Sequence, residues 1–258
     1  MAQAKTAVAQ KPIWIDLSSG DAAGSRDFYA KLLGWKVEVN PDPQYGGYAM
    51  ATIGGKDVAG IGPKQMDDAP TAWTIYVSSP DAADTAKKAE AAGGKVIVPP
   101  MAVGEQGTMV IIQDPTGAFL GVWQAGKMAG TLMTGEANSY GWAELNSRGV
   151  KKAVPFYKKL FGWGEKKSQM ANGQMDYTEF LAGGESIAGA MEMNPMVPEQ
   201  VPSYWQVYFT VDDVDKSYNK AKELGAQEML APQDFPGGRF SIQSDPQGAT
   251  FGLLKMKS

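Results

Sequence analysis

The stretch DPTGAFLGVW, Asp114–Trp123, returns as DPQGATFGLL, Asp245–Leu254. Both copies carry Asp-Pro-x-Gly, and both place a glycine, Gly121 or Gly252, seven positions after the aspartate. With the apolar run GTMVIIQ before it, the first copy reads as a hairpin: two β-rich segments about a turn, with proline at the second turn position. A hairpin met twice in one chain calls for a search for internal repeats.

The search succeeds at two levels. Setting PIWIDLSSGDAAGSRDFYAKLLGWKV, from Pro12, above YGWAELNSRGVKKAVPFYKKLFGWGE, from Tyr140, aligns Trp14 with Trp142 and Asp16 with Glu144. It also aligns Phe28-Tyr29 with Phe156-Tyr157 and Gly34-Trp35 with Gly162-Trp163. Further on, AWTIYV and YWQVYF match, with Trp73 above Trp205. The chain therefore divides into halves at 12–126 and 139–258, joined by a linker over 127–138 in the glycine-rich stretch GKMAGTLMTGEA, with a loose tail over 1–11. Each half repeats again, more faintly: Trp14 falls on Thr74 and Gly34 on Gly94, while Trp142 falls on Gln206 and Gly162 on Ala226. Alternating segments such as WIDLS and TIYVS read as strands. Asp21 and Asp81 read as helix N-caps, and AADTAKKAEAAGG as a helix ended by glycine. The unit is βαβββ, repeated four times.

Composition excludes several functions. The chain has 258 residues, 43% hydrophobic and 20% charged, with a formal charge of −4. A broad basic face for nucleic acid or anionic lipid is not expected, nor is a membrane span. The start, MAQAKTAVAQK, has no apolar signal-like core, so a cytoplasmic location is expected. There is no cysteine and no histidine, which removes thiol catalysis, Ser-His-Asp chemistry and imidazole metal ligation.

The fourfold order of these motifs resembles the vicinal oxygen chelate superfamily, which includes glyoxalase I, bleomycin-resistance proteins and extradiol dioxygenases. DFYAKLLGW and PFYKKLFGW are similar to its first-helix motif, and the two Asp-Pro-x-Gly hairpins to its closing motif. The doubled arrangement is similar to its tandem two-domain branch, which includes a mycobacterial antigen. The resemblance implies an α+β fold: tandem glyoxalase-like domains whose four βαβββ units form two curved eight-stranded sheets, with helices outside and a ligand cup inside each. Because single-domain relatives dimerise, it also implies a monomer with an internal pseudo-dimer, or a homodimer of that unit. A small organic molecule is the implied partner.

In metal-dependent members of that superfamily, ligands stand at four homologous strand positions. Carried over, the first falls on Trp14 and Trp142, and the second on Gly60 or Ile61 and on Gly189 or Ala190. The third falls on Thr74 and Gln206, and the fourth, a glutamate in those relatives, on Gly121 and Gly252. Such a set cannot hold a divalent ion against water, so no metal and no cofactor is expected.

Strand alternation lines the cup with other side chains. Trp14 and Asp16 share a face, as do Thr74 and Tyr76, Gly121 and Trp123, Trp142 and Glu144, and Gln206 and Tyr208; Gly252 closes the second set. Two readings stand. The aromatics form a pocket with a glycine floor for a flat, partly apolar ligand, or they simply fill the cup while glycine permits close strand approach. Likewise Asp16 and Glu144 are either acid–base groups or ligand anchors, or they are struts that fix the first strand through a hydrogen bond. Binding without catalysis is the first functional expectation, and a metal-independent lyase, isomerase or hydroxylase-like enzyme the second; a metal-dependent glyoxalase ranks last.

Overall fold

The computed structural model describes residues 10–130, 132–169 and 176–257. The tail expected over 1–11 falls almost wholly outside them, as does Thr131 of the linker.

The first half runs β1 (Pro12–Ser19), α1 (Ala22–Leu33), β2 (Lys36–Val39), β3 (Ala49–Ile53), β4 (Lys56–Pro63), then β5 (Ala72–Ser78), α2 (Ala82–Ala91), β6 (Lys95–Val103), β7 (Gly107–Gln113) and β8 (Phe119–Ala125). The second half runs β9 (Tyr140–Ser147), α3 (Val150–Phe161), β10 (Gly164–Gln169), β11 (Asp176–Ala182), β12 (Glu185–Glu192), then β13 (Tyr204–Thr210), α4 (Val214–Glu223), β14 (Gln227–Phe235), β15 (Gly238–Ser244) and β16 (Thr250–Met256). Each half makes one eight-stranded mixed sheet, in the order β2-β3-β4-β1-β5-β8-β7-β6 and its counterpart β10-β11-β12-β9-β13-β16-β15-β14. The expected α+β fold, with four βαβββ units in two sheets, is the one observed. None of the described helices is long and apolar enough to cross a membrane.

Local chemistry sets the helix ends. Asp21 and Asp81 cap α1 and α2, each accepting the backbone N–H three residues on at 2.9 Å. Asp213 caps α4 in the same way. At α3 the cap position is Gly149, and the Glu192 carboxylate at the end of β12 instead accepts the Val150 N–H at 3.0 Å. Gly34 and Gly162 take the left-handed conformation that ends α1 and α3.

The helix-side faces of the two sheets share one hydrophobic core. Phe28 of α1 meets Phe251 of β16 at 5.8 Å between ring centroids, and Trp73 of β5 meets Phe209 of β13 at 5.3 Å. The cup faces therefore point outward on opposite sides of the molecule.

The opening repeat has its structural explanation at this junction. Asp114 Oδ1 accepts the Thr116 and Ala118 N–H groups and so folds its own turn. Its Oδ2 accepts the hydroxyl of Tyr157, from the first helix of the other half, at 3.0 Å. Asp245 repeats the arrangement: Oδ1 accepts from Gln247 and Ala249, and Oδ2 accepts the Tyr29 hydroxyl at 3.0 Å. Trp73 Nε1 in turn donates to Tyr29, and Trp205 Nε1 to Tyr157, each at 2.9 Å. The first-helix motif and the closing-hairpin motif are thus the two sides of one pseudo-symmetric latch. Burial raises the pKa of the Asp245 carboxyl, against the pull of its hydrogen bonds.

Candidate functional site

The cup of the first half is built on the central strand pair. β1 and β5 run antiparallel with Trp14 opposite Tyr76 and Asp16 opposite Thr74. On the outer sides Asp16 pairs with Gly60 of β4 and Tyr76 with Gly121 of β8. Register therefore puts Gly60 rather than Ile61 on the cup face. In the second half Glu144 pairs with both Gly189 and Gln206, Trp142 with Tyr208, and Tyr208 with Gly252. Gly189 rather than Ala190 faces that cup.

Tyrosine rings stand over these glycines. A Cβ placed on Gly121 would meet Tyr76 Cε1 and Cγ at 2.6 and 2.7 Å, with Cδ1 closer still, and Tyr208 covers Gly252 in the same way. Tyr48 and Tyr177 lie over Gly60 and Gly189, so close that a Cβ would overlap their hydroxyls. Sequence alternation alone did not assign a face to Tyr48 or Tyr177; both lie on the cup face. The glycine floor exists, and in both cups tyrosine occupies the space directly above it.

Each cup centres on a carboxyl gripped by these tyrosines. Asp16 is half-buried. Burial pushes its pKa up to about 7, while the Tyr76 and Tyr48 hydroxyls draw it back. Trp14 Nε1 donates to the Tyr48 hydroxyl at 3.1 Å, completing a chain from indole to phenol to carboxyl. The second cup repeats the chain: Trp142 Nε1 donates to Tyr177 at 2.9 Å, and the Tyr208 hydroxyl donates to Glu144 Oε1 at 3.1 Å. Burial raises the Glu144 pKa, opposed by Tyr177, Tyr208 and Asn146. Burial, and then the neighbouring carboxyl, pushes all four tyrosines well above their ordinary pKa, so they stay protonated and donate.

The remaining sequence-derived residues differ between halves. Trp123 packs with Trp14 and Tyr76, and its Nε1 donates to the Met128 carbonyl at 2.9 Å, which ties the linker to the rim of the first cup. Thr74 lies half-buried beside Asp16. Gln206, its counterpart, is fully buried beside Glu144. Two open recesses border the first cup. One, of about 580 Å³, lies between Trp14, Lys56, Asp57 and the linker residues Met128, Met133 and Glu136. The other, of about 270 Å³, lies between Tyr48, Met50 and Val39. The linker's part in the first recess had no signal in the repeat pattern, because the linker occurs only once.

A model of the glyoxalase/bleomycin resistance protein/dioxygenase superfamily matches residues 11–122 and again 139–253. The chain belongs to this superfamily. It is 38% identical over 249 residues to the Mycobacterium bovis protein named "Putative glyoxylase CFP32", covering 95% of this chain and 94% of that one. It is 36% identical over 260 residues to the anthracycline biosynthesis protein DnrV of Streptomyces peucetius, covering 95% and 93%. Its fold is similar to the Mn(II)-bound glyoxalase of Novosphingobium aromaticivorans, with a TM-score of 0.64 at 18% identity over 96% of this chain and 82% of that one. It is also similar to the 2,3-dioxygenase LapB of Pseudomonas sp. KL28, with a TM-score of 0.63 at 12% identity over 95% and 91%.

Some members of the superfamily carry a metal, which needs several converging side-chain donors. The four positions hold Trp14, Gly60, Thr74 and Gly121 in one half and Trp142, Gly189, Gln206 and Gly252 in the other. One hydroxyl and one amide are the only side-chain donors among them. The phenols alongside are protonated and direct their hydrogens at the carboxyl. Among the described residues no cluster of three or more acidic side chains forms elsewhere. These residues do not fit a divalent cation.

Proposed function

We propose that this protein binds a small, planar, partly apolar organic molecule on its cup faces without a metal ion, and acts by sequestering or carrying it. The observation that carries this reading is the carboxyl gripped by two tyrosines, present in both cups: Asp16 paired with Gly60 and Glu144 with Gly189. Asp16, whose pKa burial pushes up to about 7, and Glu144, whose pKa burial also raises, are ringed by phenols and indoles, which offer polar groups to a carbonyl or phenol oxygen and flat surfaces to a ring system. The kinship with a protein named for anthracycline biosynthesis agrees with a fused-ring ligand. In the same reading the domains are 12–126 and 139–258, with 127–138 as a linker that also shapes the first cup.

A second reading is favoured by the burial of Asp16 among tyrosines, which pushes its pKa up to about 7. A carboxyl poised there exchanges protons readily at neutral pH, as a metal-independent lyase or isomerase requires. One experiment separates the two. Planar compounds are screened by tryptophan quenching, the signal is assigned with Trp14→Phe and Trp142→Phe, and each hit is followed by mass spectrometry over hours. Recovery of the hit unchanged supports binding; conversion abolished by Asp16→Asn or Glu144→Gln supports catalysis. If no planar compound binds, both readings fail.

A further inference from the structure

The two cups share a plan but differ in polarity at matched positions. Around Asp16 stand Ser18, Ala72 and Thr74; around Glu144 the same positions hold Asn146, Tyr204 and Gln206. All three replacements are longer polar groups. Asn146 Nδ2 donates to Glu144 Oε1 at 3.4 Å, and Tyr204 lies close enough to feel its charge.

Gln206 is the decisive one. It is fully buried on the cup face, directly opposite Glu144. Its Nε2 donates to the Val207 carbonyl at 3.0 Å. That bond fixes the amide orientation, because the flipped amide would set oxygen against oxygen. Its Oε1 has no hydrogen-bond partner among the described residues. A buried amide oxygen left unpaired is costly, and native proteins rarely carry one without a water or ligand to serve it. Thr74 gives the first cup no counterpart of this acceptor.

The structure assigns the cup of the second half as the selective site: Gln206 Oε1 accepts a hydrogen bond from an O–H or N–H on the ligand, beside the Glu144–Tyr208 pair. This rests on the proposed binding function and narrows it. The ligand class is a planar ring system bearing a hydroxyl or amino group on one edge, and a ligand whose hydroxyl is methylated binds more weakly. Gln206 is a specificity-determining residue; nothing in its placement asks it to take part in chemistry.

The test uses the full chain and two probes, 2-hydroxyanthraquinone and 2-methoxyanthraquinone, with binding measured by calorimetry at pH 6. The wild type binds the hydroxy probe about tenfold more tightly, as expected when a buried acceptor is satisfied in one complex and stranded in the other. Gln206→Leu brings the ratio to about one by weakening the hydroxy probe alone, and Thr74→Val leaves the ratio as in the wild type. Gln206→Met keeps the side-chain length and serves if the leucine variant does not fold. A ratio near one in the wild type overturns the inference. So does a ratio that survives Gln206→Leu, which would mean that an ordered water serves Oε1, or a ratio erased by Thr74→Val. If neither probe binds the wild type, the binding function falls and this inference falls with it.

Discussion

Replacing Gly121 by alanine adds one methyl group at the floor of the first cup. The backbone there is not in the left-handed region, so alanine suits it, and the cost comes entirely from Tyr76. The new Cβ would lie 2.6 to 2.7 Å from two ring carbons and nearer to a third. The ring has little room to move: it is 7% exposed and packed between Trp14 and Trp123. Overpacking of this kind costs about 1–3 kcal/mol. If the ring swings aside and its hydroxyl leaves Asp16, about 1 kcal/mol more is lost. A loss of about 3 kcal/mol follows, which for a chain of this size lowers Tm by roughly 6–12 °C. In a Tyr76→Ala background the obstruction is gone, and alanine is expected to stabilise by about 0.4–1 kcal/mol through the unfolded chain. Urea unfolding of the wild type, both single variants and the double variant gives the coupling energy. The reasoning is refuted if Gly121→Ala costs under about 0.5 kcal/mol, or if it costs the same in both backgrounds.

Three further outcomes are expected. The folded chain holds the Asp16 proton up to about pH 7, whereas the unfolded chain releases it near 3.8, so this group's stabilising contribution falls as pH rises between those values and is level above. The full difference would be worth about 4 kcal/mol, and solvent contact reduces it to roughly 1–3; Asp16→Asn should show a correspondingly flatter stability profile than wild type, and identical profiles would contradict this. At the latch, Tyr29→Phe strands both Asp245 Oδ2 and the Trp73 N–H, for a loss of about 2–3 kcal/mol, and it should be non-additive with Asp245→Asn in a double-mutant cycle. Expressed separately, the halves 1–130 and 131–258 expose Phe28, Trp35, Phe209 and Phe251, so light scattering should find aggregates or self-paired halves; two stable monomers with full-length melting behaviour would contradict the shared core.

The parts of this architecture readable in sequence are those with local causes. Asp21 and Asp81 cap helices with their own side chains, Asp114 folds its own turn, and period-2 alternation puts Trp14 with Asp16 and Gln206 with Tyr208 on single faces. The resemblance carried the pairing order of the strands. Where alternation fades, sequence is silent. β4 is buried on both faces through Val58–Gly62, so nothing in the run separated Gly60 from Ile61. A register shift within β3–β4, together with the short turn at Pro43–Tyr45 just before Tyr48, hid the face that Tyr48 takes. The latch was invisible for another reason: Tyr29 and Asp245 lie in different halves, and neither motif names its partner. With only three arginines in the chain, composition leaves tyrosine or water as the carboxyl's partner, and which tyrosines serve depends on ring positions over Gly60 and Gly121.

The claim at the centre of this account is that the cups bind organic ligand through the carboxyl–tyrosine clusters and without metal. It is tested most directly by calorimetric titration of one planar ligand into three samples: protein as purified, protein stripped with chelator, and stripped protein resupplied in turn with Mn(II), Ni(II), Zn(II) and Fe(II). The account predicts one micromolar-range Kd, about −8 kcal/mol, in all samples, weakened at least tenfold by Glu144→Gln combined with Asp16→Asn. Binding that disappears on chelation and returns with one equivalent of a single ion would contradict it.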